Sequence, residues 1–106
     1  MKRVFATINL FTPDQGGRRQ SIRPIAGAPF GCPVQFHGVA ELLAHAYDCR
    51  MLMSEYGRPI APGETATDVP IVFLSADEVL PYMRPGITFD IWEGKTIGKG
   101  EVTRLE

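Results

Sequence analysis

The chain has 106 residues, a formal net charge of −1 and 44% hydrophobic side chains, which suits a single domain, residues 1–106, built around one core. So balanced a charge excludes a protein that coats nucleic acid by bulk electrostatics, though it leaves room for a local basic face. No apolar run approaches the roughly 20 residues of a membrane-spanning helix.

The charge is unevenly spread. Residues 1–30 hold Lys2, Arg3, Arg18, Arg19 and Arg23 against Asp14 alone, whereas 31–83 hold Arg50 and Arg58 against seven carboxylates. The first third is basic and the middle acidic.

In chain order, VFATINLF alternates bulky with small or polar side chains, which predicts a strand over Val4–Phe11 with one buried face. TPDQGGRR is turn chemistry: proline fixes φ, Asp14 bonds nearby backbone and Gly16–Gly17 are expected at positive φ. SIRPIAGAPFGCP carries three prolines and two glycines, so an irregular surface connection is expected there instead of a central strand. PVQFHG reads extended. VAELLAHAY holds good helix formers in a short run; the expectation is a strand with one helical turn. RMLMSEYG reads as a short strand ending at Gly57, RPIAPGET as a turn centred on Pro62–Gly63, and VPIVFL as a buried strand. SADEVLPYMRPG is again turn-rich, with Asp77–Glu78 there for solvation or as a cap for a short turn. ITFDIWEG and TIGKGEVTRL alternate cleanly about a glycine-containing turn, the pattern of a β-hairpin. Six or so short strands without a long helix predict an all-β antiparallel barrel or sandwich.

Several chemistries can be weighed on these residues. GKT at Gly94–Thr96 has the ending of a phosphate loop, but such a loop needs a glycine five positions earlier and a helix behind it. Phe89 stands at the first place, and the residues after Thr96 alternate as a strand. No nucleotide site is expected. Cys32, His37, His45, Asp48 and Cys49 are ligand types zinc accepts, yet their spacing matches no compact finger, and neighbours Asp48 and Cys49 would face opposite sides of a strand. No metal or other cofactor is expected. Nothing orients either histidine towards a thiol, so a Cys–His nucleophile has no support, and no catalytic residue is assigned. With no secretory-signal pattern and two unpaired cysteines, the expectation is reduced core thiols in a cytoplasmic protein. Trp92 has the opposite parity to Phe89 and Ile91; if those are core, the tryptophan is exposed and a candidate contact.

Four stretches also resemble, in order, the third domain of the translation elongation factor Tu family, a six-stranded antiparallel closed β-barrel. FTPDQGGRR is similar to that domain's first strand end and its acidic-Gly-Gly-Arg loop, PFGCPVQFHG to its Arg-Pro-Gln-Phe segment, APGET to its Met-Pro-Gly-Asp turn, and RPGITFDIWEGKTIGKGEVTRL to its closing hairpin. There are departures. Cys32 replaces the arginine of the second motif and Val34 is inserted before Gln35. EGKT is shorter than the family's EGGRT. The stretches 36–56 and 64–88 are longer, which predicts extended loops or short helical turns near 39–46 and 76–82. The family's guanine-nucleotide domain and second barrel are not among these residues, so no GTPase activity is implied.

In the family this domain helps hold the T-stem side of aminoacyl-tRNA and contacts protein partners. By motif match the resemblance carries that role to Arg18, Gln35 and Gly94. Arg19 and Arg23 add to the basic stretch, and Lys95 and Lys99 extend it if the closing hairpin lies beside the first loop. The implied function is a non-catalytic binding module associated with translation, contacting through these residues and Trp92 either a protein of the translation machinery or tRNA-like RNA. The alternatives are a regulatory mimic of elongation factor Tu that needs no RNA, or a small zinc-binding protein.

Overall fold

Side chains at alternate positions of a strand face opposite sides of the sheet. The first run obeys this: Val4, Ala6, Ile8 and Leu10 are buried while Phe5, Thr7 and Asn9 face outward. The computed structural model of the protein describes residues 2–106. Its strands are β1 (Val4–Leu10), β2 (Phe30–Phe36), β3 (Tyr47–Met51), β4 (Thr65–Phe73), β5 (Thr88–Trp92) and β6 (Thr96–Leu105). All neighbours are antiparallel, and the sheet closes in the order β1-β4-β3-β2-β5-β6, which removes the exposed edges of an open sheet. The expected six-stranded closed barrel is the fold.

Closure needs local extra twist, and β-bulges provide it. Register shifts fall between Ala6 and Ile8 against β4, between Phe5 and Ala6 against β6, and between Ile91 and Trp92. Opposite the first, Asp68 sits in β4 at φ 57°, a conformation that Asp tolerates better than most residues. Phe36 lies at the heart of the core, with ring centroids of Phe73, Phe89 and Tyr47 at 5.6, 5.8 and 6.1 Å. Gly98 and Gly100 pack against β1 backbone and the Phe89 ring respectively, leaving no room for a Cβ. The glycines after GKT therefore serve strand packing, and β6 continues to Leu105 where a phosphate loop would need a helix.

The connections depart from the sequence expectations in three places. VAELLAHAY holds the expected short helical turn, a 3-10 turn over Ala40–Leu42, but the strand expected with it is confined to its last residue, since β3 begins only at Tyr47. Leu42 is buried by this turn, which closes the core between β2 and β3. RMLMSEYG ends β3 at Met51 and then forms a single helical turn, α1 (Met53–Tyr56), halted by Gly57 at φ 90°. Met53 is fully buried there, so one apolar contact outweighs the weak strand tendency of the run. In β2, extended structure begins at Phe30, upstream of Pro33. Pro33 is tolerated because the β2–β5 ladder starts at Val34, so its missing N–H falls on a locally unpaired edge. The longer stretch at 76–82 forms α2 (Ala76–Val79) and a 3-10 turn over Leu80–Tyr82. Asp77 and Glu78 lie in its first turn, where carboxylates favour the helix dipole, and neither is its cap.

The topology sorts the loops to two ends. Residues 11–29, 52–64 and 93–95 lie at one end, and 37–46 with 74–87 at the other. At the first end, Ile22 and Ile60 form an isolated antiparallel bridge and are both buried, tying the two long loops together.

Candidate binding site at the basic end of the barrel

The first loop is built by local chemistry. Thr12 caps the 3-10 turn Pro13–Gln15: the Gln15 N–H donates to Thr12 Oγ1 at 3.3 Å, and the Thr12 N–H donates to Gln15 Oε1 at 3.0 Å. This reciprocal box holds the reversal rigidly. Gly16 takes the expected positive φ of 91°, whereas Gly17 does not: it packs against the Phe11 carbonyl where a Cβ has no space, which turns Arg18 towards the closing hairpin. The Phe11 N–H in turn donates to the Ile97 carbonyl at 2.9 Å. The hairpin and the first loop are therefore neighbours, the condition on which the hairpin lysines could extend the basic stretch.

Between them lies an open basin of about 680 Å³ lined by Asp14, Gly17, Arg18, Arg19, Glu93 and Lys95, among others. Arg18 is not free in it. Its Nη1 donates to both Glu93 carboxylate oxygens at 2.6 and 2.7 Å, its Nε donates to the Gln20 carbonyl at 3.1 Å, and its guanidinium stands 5.1 Å from the centroid of the Phe30 ring. Among the described residues Arg19 and Lys95 make no ion pair. Gly94 forms the turn at φ 71° with nothing near its Cβ direction, so its contribution is backbone geometry. Trp92 ends β5 one residue before Glu93, 48% exposed.

The other candidates lie elsewhere. Arg23 is exposed at the same end, beyond the basin lining, next to the Ile22–Ile60 bridge. Gln35 is half-buried on the wall opposite Asp90 and reaches towards the Leu43 carbonyl at 3.5 Å, too long for a strong bond. Lys99 stands mid-wall between Asn9 and Asp90. With Thr7, Asn9, His37 and Glu101 it lines a separate groove of about 340 Å³. Arg18, Arg19, Gly94 and Lys95 are thus brought together, while Gln35 and Lys99 are not.

The five residues of zinc-accepting type are divided by the barrel wall. Cys32 and Cys49 are buried inside, Asp48 is exposed outside, and His45 is exposed with its ring edge-on to Tyr47 at 6.1 Å. His37 lies outside too, with Nδ1 3.0 Å from Thr88 Oγ1 and Nε2 3.1 Å from an Asp90 oxygen. Among the described residues no histidine is hydrogen-bonded to a thiol. The Thr88–His37–Asp90 chain was not legible in the sequence; it fastens the end of β2 to β5, where the His37 N–H already donates to the Thr88 carbonyl at 2.9 Å. The same holds for Glu93 as the counter-charge of Arg18, since residues 75 apart give no local signal of contact.

At the same end Arg58 pairs with Glu64, whose carboxylate also accepts the Ala61 N–H at 2.8 Å. These two donors hold the Glu64 carboxyl below its ordinary range, the backbone bond contributing most. Among the described residues no helix is long and apolar enough to cross a membrane. No family model matches the chain, and no curated protein matches it at a significant level.

Proposed function

We propose that the protein is a non-catalytic binding module of the translation machinery, a barrel similar to the third domain of elongation factor Tu that takes a protein partner at its basic end. Trp92 is the aromatic anchor, and Arg19 and Lys95 are the charged rim. The observation that carries this reading is the state of Arg18. Its charge is met by Glu93, and Asp14 shares the basin, so the surface alternates cations with carboxylates. A phosphate-tracking surface wants several uncompensated cations. A mixed-charge rim beside an exposed tryptophan is what protein interfaces favour, with the aromatic group dominating the energy. The barrel interior is packed with side chains, as small barrels usually are, which supports binding over catalysis.

The second reading is tRNA-like RNA, favoured by one feature: Arg19, Arg23 and Lys95 lie at one end without ion-pair partners among the described residues. The discriminating experiment has two arms. Immobilised protein is exposed to a translation extract, and retained proteins are identified by mass spectrometry. In parallel, bulk tRNA is titrated at about 50 and 200 mM salt, across which a phosphate-dependent complex weakens steeply. The expected result is a ribosomal protein or translation factor retained by wild type and weakened roughly 30-fold by Trp92→Ala, the scale of an anchor worth about 2 kcal/mol. Salt-sensitive tRNA binding abolished by the Arg18→Ala, Arg19→Ala pair would replace the protein reading with the RNA one. Failure of both arms would end the translational assignment.

A further inference from the structure

Cys32 and Cys49 are direct cross-strand partners on β2 and β3. Their Sγ atoms lie 3.7 Å apart and both thiols are buried in the core. We infer that this pair is a site of reversible oxidation, closed to an intramolecular disulfide by a low-molecular-weight disulfide. The inference stands independently of the partner proposed above.

The backbone already suits the bond. Directly opposed residues of an antiparallel pair have Cα atoms roughly 4.5 or 5.5 Å apart, according to whether they exchange hydrogen bonds. Both spacings fall inside the range of about 4.4–6.8 Å seen for disulfides. Bringing the sulfurs from 3.7 Å to a bonded distance of about 2.05 Å therefore takes side-chain rotation without moving either strand.

The two thiols differ in access, which sets their order of reaction. Cys32 lies in the first part of β2, paired to β3 but not to β5, whose ladder starts at Val34. Breaking one ladder bares it. Cys49 is paired on both sides, to Cys32 and to Phe73. Its hydrogen bond with Cys32 and its burial push its thiol well above the ordinary range, so it waits as a thiol until a neighbouring sulfur is activated. Cys32 as thiolate attacks the small disulfide RSSR, forming a Cys32–S–S–R bond and releasing RS⁻, which takes up the proton Cys32 gave. Cys49 then loses its proton to solvent and attacks the Cys32 sulfur, expelling a second thiolate that is protonated in turn. Two protein thiols and RSSR become one protein disulfide and two RSH. The protein is oxidised by two electrons and the small disulfide reduced by two.

The folded chain is incubated with oxidised glutathione and analysed by intact mass and by mapping of peptides cleaved without reduction. The expected product is a monomer lighter by about 2 Da, with Cys32 linked to Cys49 and the thiols restored by a dithiol reductant. Its thermal midpoint should rise by on the order of 10 °C, since the link constrains the unfolded chain. Cys49→Ser should stop the reaction at a stable glutathione adduct on Cys32, whereas Cys32→Ser should stay unmodified. Free thiols in wild type after prolonged incubation would overturn the inference. So would a persistent adduct on wild-type Cys32, or linkage only between separate chains, and these readouts on wild type hold even if a variant does not fold.

Discussion

Gly98→Ala puts the close approach of β6 to β1 to a quantitative test. A Cβ at this position would stand 2.5 Å from the Asn9 carbonyl oxygen and 3.2 Å from Leu10 Cα, both of them β1 backbone. Carbon–oxygen contacts relax near 3.3 Å, so the strands must separate by roughly 0.8 Å where Leu10 faces Gly98 and Asn9 faces Lys99. Overpacking of this kind costs about 1–3 kcal/mol, and a stretched ladder bond adds about 1 kcal/mol. The alanine recovers about 0.5–1 kcal/mol by restricting the unfolded chain. The net expectation is a loss of about 1–3.5 kcal/mol. Gly31→Ala is the control: its Cβ would meet the Arg50 guanidinium at 2.9 Å, the far end of a side chain that can swing aside, so the change should stay within about 1 kcal/mol. Urea denaturation with matched m values measures both. A Gly98→Ala midpoint equal to wild type, or a Gly31→Ala loss as large as that of Gly98→Ala, would refute the backbone-contact account.

Three further outcomes follow from the same geometry. Phe36→Ala should cost about 3–5 kcal/mol in urea melts, because its ring contacts three other aromatic rings in the core. Glu93→Gln should change stability by no more than about 1 kcal/mol, since the Arg18 pair is partly exposed; by freeing Arg18 it should raise tRNA affinity at low salt above that of wild type, and an unchanged affinity would refute the role given to the pair in disfavouring phosphate. Glu64 has a folded-state pKa below its ordinary value of 4.5, so its stabilising contribution is present above 4.5 and disappears as pH falls through the folded value. Glu64→Gln should therefore lower the urea midpoint at neutral pH and shrink the further drop seen on acidification to about pH 3.

The strands were legible where alternation and β-branched residues agreed: VFATINL, VPIVF and the closing hairpin occupy β1, β4, β5 and β6. The connections were less so, because short runs near a core obey single burial events more than propensity. Met53 turns a nominal strand into a helical turn by entering the core, and Leu42 anchors the helical turn expected near 39–46 while the strand expected beside it is missing. Pro33 illustrates a different limit: whether a proline is tolerated in a strand depends on where the neighbouring ladder begins, which is a tertiary fact. For the site, parity in ITFDIW placed Trp92 outside, and the turn at Gly94 was readable from its residues. The pairing of Arg18 with Glu93 was not, nor was the distance of Gln35 and Lys99 from the basin, since both depend on barrel closure.

Strand parity also explains why the chemistry-bearing residues of the middle segment do not assemble into one centre. Along β2, Cys32, Val34 and Phe36 point inward while Pro33 and Gln35 face outward, and His37 follows on the outer side. Along β3 the same alternation sends Cys49 inward and Asp48 outward. A cysteine and a histidine separated by an odd number of positions on one strand lie on opposite faces, so Cys32 and His37 are parted by the wall however the loops settle. The thiols are left facing one another. The histidine is left with Thr88 and Asp90, both outward on β5. Residues that stand close in sequence thus serve two unrelated contacts, one inside and one outside. The charged groups of the first loop and the closing hairpin lie beyond the strands, where Gly16 and Gly94 take positive φ and parity no longer applies.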